Sequence, residues 1–199
     1  GSAEPGALVP VEDLAGELLG WGLFSRGSKI AVRLVSGPCQ EPGRDFWRAR
    51  LSAALGLRGQ NGLLDIDGAC RLLAGDADGI PGMVIDRYAR TVVLQSGTQA
   101  ADRMRELLIE LLDELLPFAV EGVVDRSDTS VRRLEGLPER VEVLRGGLGN
   151  PVTVREGEAR FQVDLLAGQK TGAYLDQREN RLAAAHRAGG KQFFDAFAY

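Results

Sequence analysis

The stretch ACRLLAGDADGIPGMVIDRYARTVVLQS, Ala69 to Ser96, decides the fold. It contains three apolar runs of strand length, 69–74, 83–87 and 91–96. The turn-forming cluster GDADGIPG, Gly75 to Gly82, follows the first run. Tyr88-Ala89-Arg90 joins the other two runs into a hairpin. We therefore predict three consecutive strands in this stretch.

The acidic residues of the cluster do not predict a calcium site. Asp76 and Asp78 alternate as calcium ligands do, but the twelve-residue pattern of acidic ligands with its terminal Glu is missing. We predict instead a tight turn in which aspartate side chains cap backbone amides.

The residues that follow extend this unit into an α+β arrangement. Asp102 to Leu116 repeats apolar residues at helical spacing, and Pro117 ends that helix. Four further strands are predicted, the last two of them as a hairpin across Glu156-Gly157: Gly122–Asp125, Val141–Leu144, Val152–Arg155 and Arg160–Leu165. Strands, a helix and then more strands favour helices packed on a sheet.

The two ends of the chain carry shorter patterns. Gly20 to Leu34 predicts two strands around a Gly/Ser turn. Phe46 to Leu55 has the spacing of a helix, which the glycines of Gly56 to Gly62 are expected to end. Near the other terminus we predict a helix over Asp176 to Ala188 and a strand over Gln192 to Phe197.

Composition excludes several classes of protein. The 199 residues carry a formal net charge of −4, so nucleic-acid binding would need a local basic face. Cys39 and Cys70 form no CxxC pair and no Cys/His cluster, which argues against a metal site. A secretory signal and a spanning apolar run are not apparent, so we expect a cytoplasmic protein and no membrane partner.

The most polar motif is GQKTGAYLDQRENR, Gly168 to Arg181. A ligand with anionic and hydrogen-bonding groups could use most of its side chains, and Lys170 and Thr171 precede a helix start whose amides favour an anion. Equally, the motif could be a loop with a solvated helix start, capped by Asp176. The glycine spacing is not that of a Walker loop.

A second charged motif is DRSD, Asp125 to Asp128, followed by VRRLEG, Val131 to Gly136. Arginine and aspartate at strand ends commonly pair with each other. Alternatively, Arg126, Arg132 or Arg133 contacts ribose or phosphate. The residues alone leave both interpretations open.

Four motifs occur here in an order that resembles a known family: GDADGIPGMVIDRY, VVDRSDTSVRRLEG, FQVDLLAGQKTGAYLDQRENR and FFDAFAY. The family is the class I S-adenosylmethionine-dependent methyltransferases that make 5-methylcytosine in large-subunit ribosomal RNA. GWGLFSRGSKIAVRL is similar to the latter part of their RNA-binding PUA domain. The resemblance covers about Leu14 to Tyr199.

The resemblance implies an α+β chain of four parts. We expect a partial PUA-like β-barrel over 5–40, a linker helix over 41–62, a strand-strand-helix-strand-strand central domain over 63–160, and the first elements of a Rossmann-like methyltransferase domain over 161–199. The chain then resembles the N-terminal, RNA-positioning part of a 23S ribosomal RNA methyltransferase. An alternative is a non-catalytic RNA-binding or assembly module on the same scaffold.

The resemblance also assigns roles to residues. It implies S-adenosylmethionine as cofactor of the full-length protein, near Lys170, Tyr174, Gln177 and Arg178. Ribosomal RNA would be held by the arginines Arg126, Arg132, Arg133 and Arg181. No catalytic residue is expected here, because the nucleophilic cysteine of the family would lie downstream of Tyr199. We therefore expect this part alone to be inactive and to carry no bound cofactor.

The final motif FFDAFAY predicts one more property. In the family it resembles a central parallel strand, whose neighbours would be missing here. Such a strand exposes apolar side chains and unpaired backbone groups. We therefore expect it to pair with a second copy in a homodimer or to turn away from the family's arrangement.

Overall fold

The computed structural model describes residues 3–194 and residue 196. In these residues the chain forms ten strands: β1 (Leu8–Glu12), β2 (Leu18–Phe24), β3 (Val32–Ser36), β4 (Ala69–Ala74), β5 (Met83–Tyr88), β6 (Thr91–Ser96), β7 (Gly122–Ser127), β8 (Arg140–Arg145), β9 (Val152–Glu156) and β10 (Ala159–Val163). The α-helices in the same residues are α1 (Arg44–Gln60), α2 (Gln99–Arg103), α3 (Arg105–Leu115), α4 (Ser130–Leu134) and α5 (Arg178–Ala188). Short 3-10 helices span Gly75–Asp78 and Leu175–Gln177.

The central sheet has five strands in the order β4-β5-β6-β7-β8. Only β6 and β7 pair in parallel, and the α2–α3 connection crosses from one to the other; the remaining neighbours are antiparallel. A parallel pair needs a crossover of this kind, whereas β5 and β6 need only a two-residue hairpin. The predicted mixed architecture and the predicted strands of this sheet are confirmed.

Side chains on a strand point alternately to its two faces. Other elements cover both faces of the central sheet. Ile85, Val92 and Leu94 lie in the larger core, with α1, α3 and two side chains of the N-terminal sheet. Tyr88 and Val93 lie in a smaller core on the opposite face, where the β9–β10 hairpin covers the sheet. The central sheet is thus the middle layer of three.

Helix α1 is longer than the sequence predicts. The apolar spacing stops at Leu55, whereas the helix runs to Gln60 and so ends within Gly56 to Gly62, the stretch that the sequence predicts to end it. Its buried face, which includes Leu51 and Ala54, packs into the larger core. Gly56 lies in the helix where a Cβ would meet nothing within 4 Å. Core packing on the opposite side therefore outweighs the low helix propensity of this glycine.

The crossover helix also differs from its prediction, in where it begins and in being divided in two. The sequence predicts one helix from Asp102, whereas the structure begins at Gln99 and breaks at Met104, which caps both α2 and α3. The Thr98 hydroxyl accepts a hydrogen bond from the Ala101 amide at 3.2 Å and so caps the first helix. A threonine N-cap is a sequence signal that places the start correctly.

The acidic turn has the structure that the sequence predicts. The Asp78 carboxylate accepts a hydrogen bond from the Ala74 amide at 2.6 Å and pairs with Arg58 through two bonds of 2.8 and 2.7 Å. Burial opposes ionisation of Asp78, but these bonds outweigh it and lower its pKa. Among the described residues there is no group of three His, Cys, Asp or Glu side chains that could hold a metal ion.

The N-terminal sheet, β1-β2-β3, is antiparallel and docks on the central sheet's helices. The Arg26 amide donates to Gln99 Oε1 at 3.0 Å, and Gln99 Nε2 donates to the Glu135 carbonyl at 2.7 Å. Gly27 lies so close to α4 that a Cβ would come within 2.9 Å of the Leu134 carbonyl oxygen. The predicted β2–β3 hairpin is confirmed, and its tip contacts the end of the VRRLEG motif.

Two predicted elements near the C-terminus differ. The last helix is regular only from Arg178, after a 3-10 turn. Residues 192–194 are not a strand, so that part of the prediction for Gln192 to Phe197 is wrong; Asp195 and Phe197 lie outside the described residues. Across the described part of the chain, no helix has the length and apolar character to cross a bilayer.

Packing bears on the predicted domain boundaries, which stay a proposal. Residues 41–62 contain α1, which contributes side chains to the larger core and so is more than a linker. β10 crosses the predicted boundary between residues 160 and 161. The hairpin that it forms with β9 belongs to the layer that covers the central sheet.

Candidate functional site

The motif Gly168 to Arg181, hereafter the polar segment, follows β10 and lies on the face of the central sheet that carries the smaller core. Asp164 turns the chain into it. Its carboxylate accepts hydrogen bonds from Asn150 Nδ2 and the Leu166 amide, both at 2.8 Å, and from the Ala167 amide at 2.9 Å. These donors, Asn150 first, lower the pKa of Asp164.

A buried hydrogen-bond network fixes the inner side of the polar segment. Thr171 is 1% exposed. Its hydroxyl donates to Asp86 Oδ2 at 2.6 Å and lies 3.0 Å from the Tyr88 hydroxyl, which accepts from the Ala173 amide at 3.0 Å. Arg71 closes the network with two bonds to Asp86, at 2.8 and 3.0 Å. Both acceptor residues come from β5, two positions apart and therefore on one face.

Tyr88 is fully buried within this network. Burial raises the pKa of its hydroxyl to about 12, although the bond to Thr171 acts in the opposite direction. The hydroxyl therefore stays protonated at neutral pH and can act as donor and acceptor together.

The two glycines of the polar segment are required by packing. A Cβ on Gly168 would lie 2.2 Å from the Asp164 carbonyl oxygen and 2.5 Å from that of Gly172. Gly172 has a φ of +144°, and a Cβ there would come within 2.9 Å of side chains of Val163 and Leu165. The turn therefore closes only with glycine at both positions.

Arg126 binds the backbone at the start of the polar segment. Its side chain is 5% exposed. Nη1 donates to the Leu165 carbonyl at 2.7 Å, and Nη2 donates to the Gly168 carbonyl at 3.0 Å and to Asp128 at 3.2 Å. This one guanidinium therefore links the DRSD motif to the polar segment.

The predicted cofactor residues lie on the outer side of the polar segment. Lys170 has a φ of +55°, and its Nζ lies 3.1 Å from Asp176 Oδ1 and 4.2 Å from the centre of the Tyr174 ring. The bond from Lys170 lowers the pKa of Asp176. Gln177 Oε1 accepts from Asn180 Nδ2 at 2.7 Å. The structure thus brings Lys170 and Tyr174 together.

Arg178 lines a cleft of about 310 Å³ between the polar segment and β4, together with Asp176, the partner of Lys170. It forms an ion pair with its neighbour Glu179. The cleft is lined by Arg58, Leu63, Ala69, Cys70, Arg71, Leu175, Asp176, Arg178 and Glu179. Three arginines and two carboxylates line it, so its charges largely offset one another.

Arg181, predicted to contact RNA, is held in the protein. Its guanidinium pairs with Glu156 on β9 through bonds of 2.7 and 2.5 Å. Nη1 also donates to the Tyr174 carbonyl at 2.8 Å. Arg181 therefore fastens the start of α5 to the hairpin.

The predictions of RNA contact for Arg126 and Arg132 need correction. Arg132 is fully buried. Its Nη1 donates to the Ser96 carbonyl and to Asp102 Oδ1, both at 2.8 Å, and its Nε donates to the Pro138 carbonyl at 2.7 Å. Both guanidinium groups are buried and donate to acceptors within the fold. Both pair with aspartates, as the structural alternative expects: Arg126 near the end of β7 with Asp128, and Arg132 on α4 with Asp102.

Arg133 differs from its neighbour. Its side chain is 72% exposed and pairs with Glu139 at 2.7 Å. It remains accessible to a polyanion. Adjacent residues on a helix are about 100° apart, which explains why Arg132 faces the core and Arg133 faces solvent.

The anchoring residues of the site were not among the predicted site residues. Asp86, Tyr88 and Arg71 lie outside the polar segment and have no role in the sequence prediction. One signal pointed to Asp86 and Tyr88: their alternation places two polar groups on one face of β5.

The fold is shared with solved structures of one class. The chain superposes on SMU.776, a proposed methyltransferase complexed with SAH, with a TM-score of 0.73 at 20% identity over 89% of this chain and 44% of that one. A second structure, proposed as a SAM-dependent methyltransferase from Streptococcus mutans, gives a TM-score of 0.71 at 20% identity, covering 91% of this chain and 46% of that one. At this identity the likeness concerns the fold.

The relatives found by sequence are more similar to this chain than the solved structures are, and they share one name. The ribosomal RNA large subunit methyltransferase I of Photobacterium profundum is 38% identical over 196 residues, which cover 98% of this chain and 49% of that protein. The protein of the same name from Erwinia tasmaniensis is 37% identical over 201 residues, with 100% and 50% covered. The model of a PUA-like domain matches residues 1–37. The chain spans about half the length of the curated relatives it matches.

Proposed function

We propose that this chain is the RNA-placing part of an S-adenosylmethionine-dependent methyltransferase that forms 5-methylcytosine in 23S ribosomal RNA. The observation that carries the proposal is the 38% identity over 98% of the chain to ribosomal RNA large subunit methyltransferase I of Photobacterium profundum. That match includes both the region similar to a PUA-like domain and the polar segment. The activity itself would belong to a protein of the relatives' full length.

The outer side of the polar segment suits one end of the cofactor. S-adenosylmethionine, when bound, supplies an activated methyl group and carries a carboxylate. Lys170 offers an ammonium group to such a carboxylate, and Tyr174 lies beside it with an aromatic face. Gln177 and Arg178 follow Tyr174 closely in the sequence and offer hydrogen-bond donors. We propose that these four residues form one edge of the cofactor site.

For RNA we propose a surface formed by the β2–β3 hairpin tip and α4. Arg26 and Lys29 are exposed at the tip, and Arg133 is exposed on α4, which the tip contacts through Gly27. Exposed cations of this kind position a nucleic-acid backbone without reading its bases. Arg133 is the one predicted RNA residue in this surface; Arg181 serves the fold.

Methylation of a pyrimidine at C5 uses a thiolate that adds to C6 before the methyl group is transferred. Cys70 does not fit this role, because burial raises the pKa of its thiol and the side chain is 5% exposed. We propose that the nucleophilic cysteine lies in the part of the relatives that this chain does not span. This part alone would then be inactive and bind the cofactor weakly.

Two binding measurements on the 199-residue chain test this division of roles. Calorimetry with S-adenosylmethionine should show no tight binding; a dissociation constant in the low micromolar range would contradict it. Fluorescence anisotropy with a fragment of large-subunit ribosomal RNA should show binding that falls steeply between about 50 and about 200 mM salt.

Variants locate the RNA surface in the same assay. Replacing Lys29 and Arg133 with Ala should weaken binding equally for unrelated RNA sequences and reduce the salt slope by about 1 for each phosphate that the protein no longer neutralises. Arg48→Ala on α1, also exposed, is the matched control. Equal affinities for the double variant and the control would remove this surface from the proposal.

A further inference from the structure

Polar anchors hold the polar segment on the sheet, beside Ala173 and Leu175, which pack partly buried against the smaller core. Helix α5, which ends the segment, has no buried residue. The residue of the segment that is buried almost completely is Thr171, and it is buried among hydrogen-bonding groups. Loss of an anchor should therefore release the segment while the two cores of the sheet remain packed.

The anchors act on both sides of Lys170. Before it, Arg126 binds the carbonyls of Leu165 and Gly168. After it, Thr171 binds Asp86, which Arg71 holds with two bonds. Lys170 itself has a left-handed backbone, which is uncommon for a residue with a side chain. Residues in such conformations persist where their surroundings fix them, and they concentrate at ligand sites.

We propose that Arg126 and Thr171 are positioning residues that fix the Gly168–Tyr174 turn, so that Lys170 is aimed outward at the carboxylate end of the cofactor. This inference rests on the proposed function. Neither residue contacts the ligand; each acts through the backbone of the turn. Without a ligand, the Lys170 ammonium group forms an ion pair with the Asp176 carboxylate. A ligand carboxylate replaces that partner without movement of the turn.

The first test measures the turn in the 199-residue chain. Thr171→Val keeps the shape of the side chain and removes its hydroxyl, and Thr171→Ser restores the hydroxyl. Trypsin cleaves after Lys170, which is exposed, so cleavage there reports release of the turn. We expect about tenfold faster cleavage for Thr171→Val, the effect of losing one hydrogen bond to a charged group, and near wild-type cleavage for Thr171→Ser.

A matched control separates release of the turn from unfolding. Thr153→Val on the exposed side of β9 makes the same chemical change away from the network. It should leave cleavage unchanged. If Thr171→Val instead speeds cleavage at every basic site alike, in step with a lower urea midpoint, Thr171 stabilises the fold generally and the inference is wrong.

The second test uses the protein at the length of its relatives, with S-adenosylmethionine as probe. Thr171→Val and Arg126→Met should each raise the KM for the cofactor about tenfold, with a smaller change in kcat, and Thr171→Ser should recover the wild-type KM. If the wild-type protein transfers methyl groups and Thr171→Val has the KM of Thr153→Val, the inference fails and the proposed function stands. If the wild-type protein neither binds nor uses the cofactor, both fail.

Discussion

Replacement of Arg132 by Met tests whether the charged motifs serve the fold. Methionine keeps most of the apolar stem and removes the guanidinium. Asp102 and Ser96 would then lose their buried partner. Removing one member of a buried pair costs about 3–5 kcal/mol.

The structure favours the lower end of that range. The Asp102 side chain is 18% exposed, and Arg105 and Arg140 remain at 3.7 and 3.8 Å from it. Moreover, Arg132 Nη2 has no hydrogen-bond partner among the described residues, so the substitution also eliminates one unsatisfied buried donor. We expect a loss of about 3 kcal/mol, or about 6–12 °C in Tm for a chain of this size.

Urea unfolding followed by circular dichroism measures this loss, and Arg133→Ala is the matched control. Its exposed pair with Glu139 should contribute less than about 1 kcal/mol. If Arg132→Met costs no more than Arg133→Ala, Arg132 is not the structural residue that its hydrogen bonds indicate, and RNA contact becomes its better explanation.

Three further changes have definite signs. Gly56→Ala in α1 should stabilise the chain by about 0.5–1 kcal/mol in urea unfolding, because a Cβ there meets nothing within 4 Å; a loss of stability would contradict the open space at this position. Gly172→Ala should cost about 1–3 kcal/mol, since its Cβ would lie 2.8 Å from Val163 Cγ1, and an unchanged urea midpoint would contradict that close approach. The folded-state pKa of Tyr88 is about 12 against 10.0 for a free tyrosine, so its stabilisation is complete below about pH 10 and is lost as pH rises towards 12. Urea midpoints between these pH values should fall for the wild type and fall less for Tyr88→Phe; parallel curves would exclude Tyr88 as the cause.

Periodicity predicts most of the fold. The apolar runs of the central sheet and the apolar spacing of the crossover helix depend on local sequence; the strands appear where the sequence places them, and the helical region begins three residues earlier. Helix α1 shows the limit. Its apolar spacing stops at Leu55, but the helix continues to Gln60 within the glycine-containing stretch, because burial of Leu51 and Ala54 on one face supports the helix and depends on the partner layers.

The candidate site is less predictable because the direction of a charged side chain is decided by tertiary packing. Arg132 and Arg133 are adjacent and chemically identical, yet one is fully buried and the other is 72% exposed. The polar segment shows the same limit. Its glycines are explained by close packing, whereas Thr171, a buried anchor, could not be distinguished by sequence from Lys170, which faces outward.

Methyl transfer is the most direct test of the proposed function. The protein at the length of its relatives would be incubated with S-adenosylmethionine and large-subunit ribosomal RNA that lacks the modification, and the modified base would be identified by mass spectrometry of nucleosides. We expect 5-methylcytosine at a single site, and no product with the 199-residue chain alone. Binding of the RNA without any transfer by the longer protein would contradict the proposed function and favour a non-catalytic RNA-binding module.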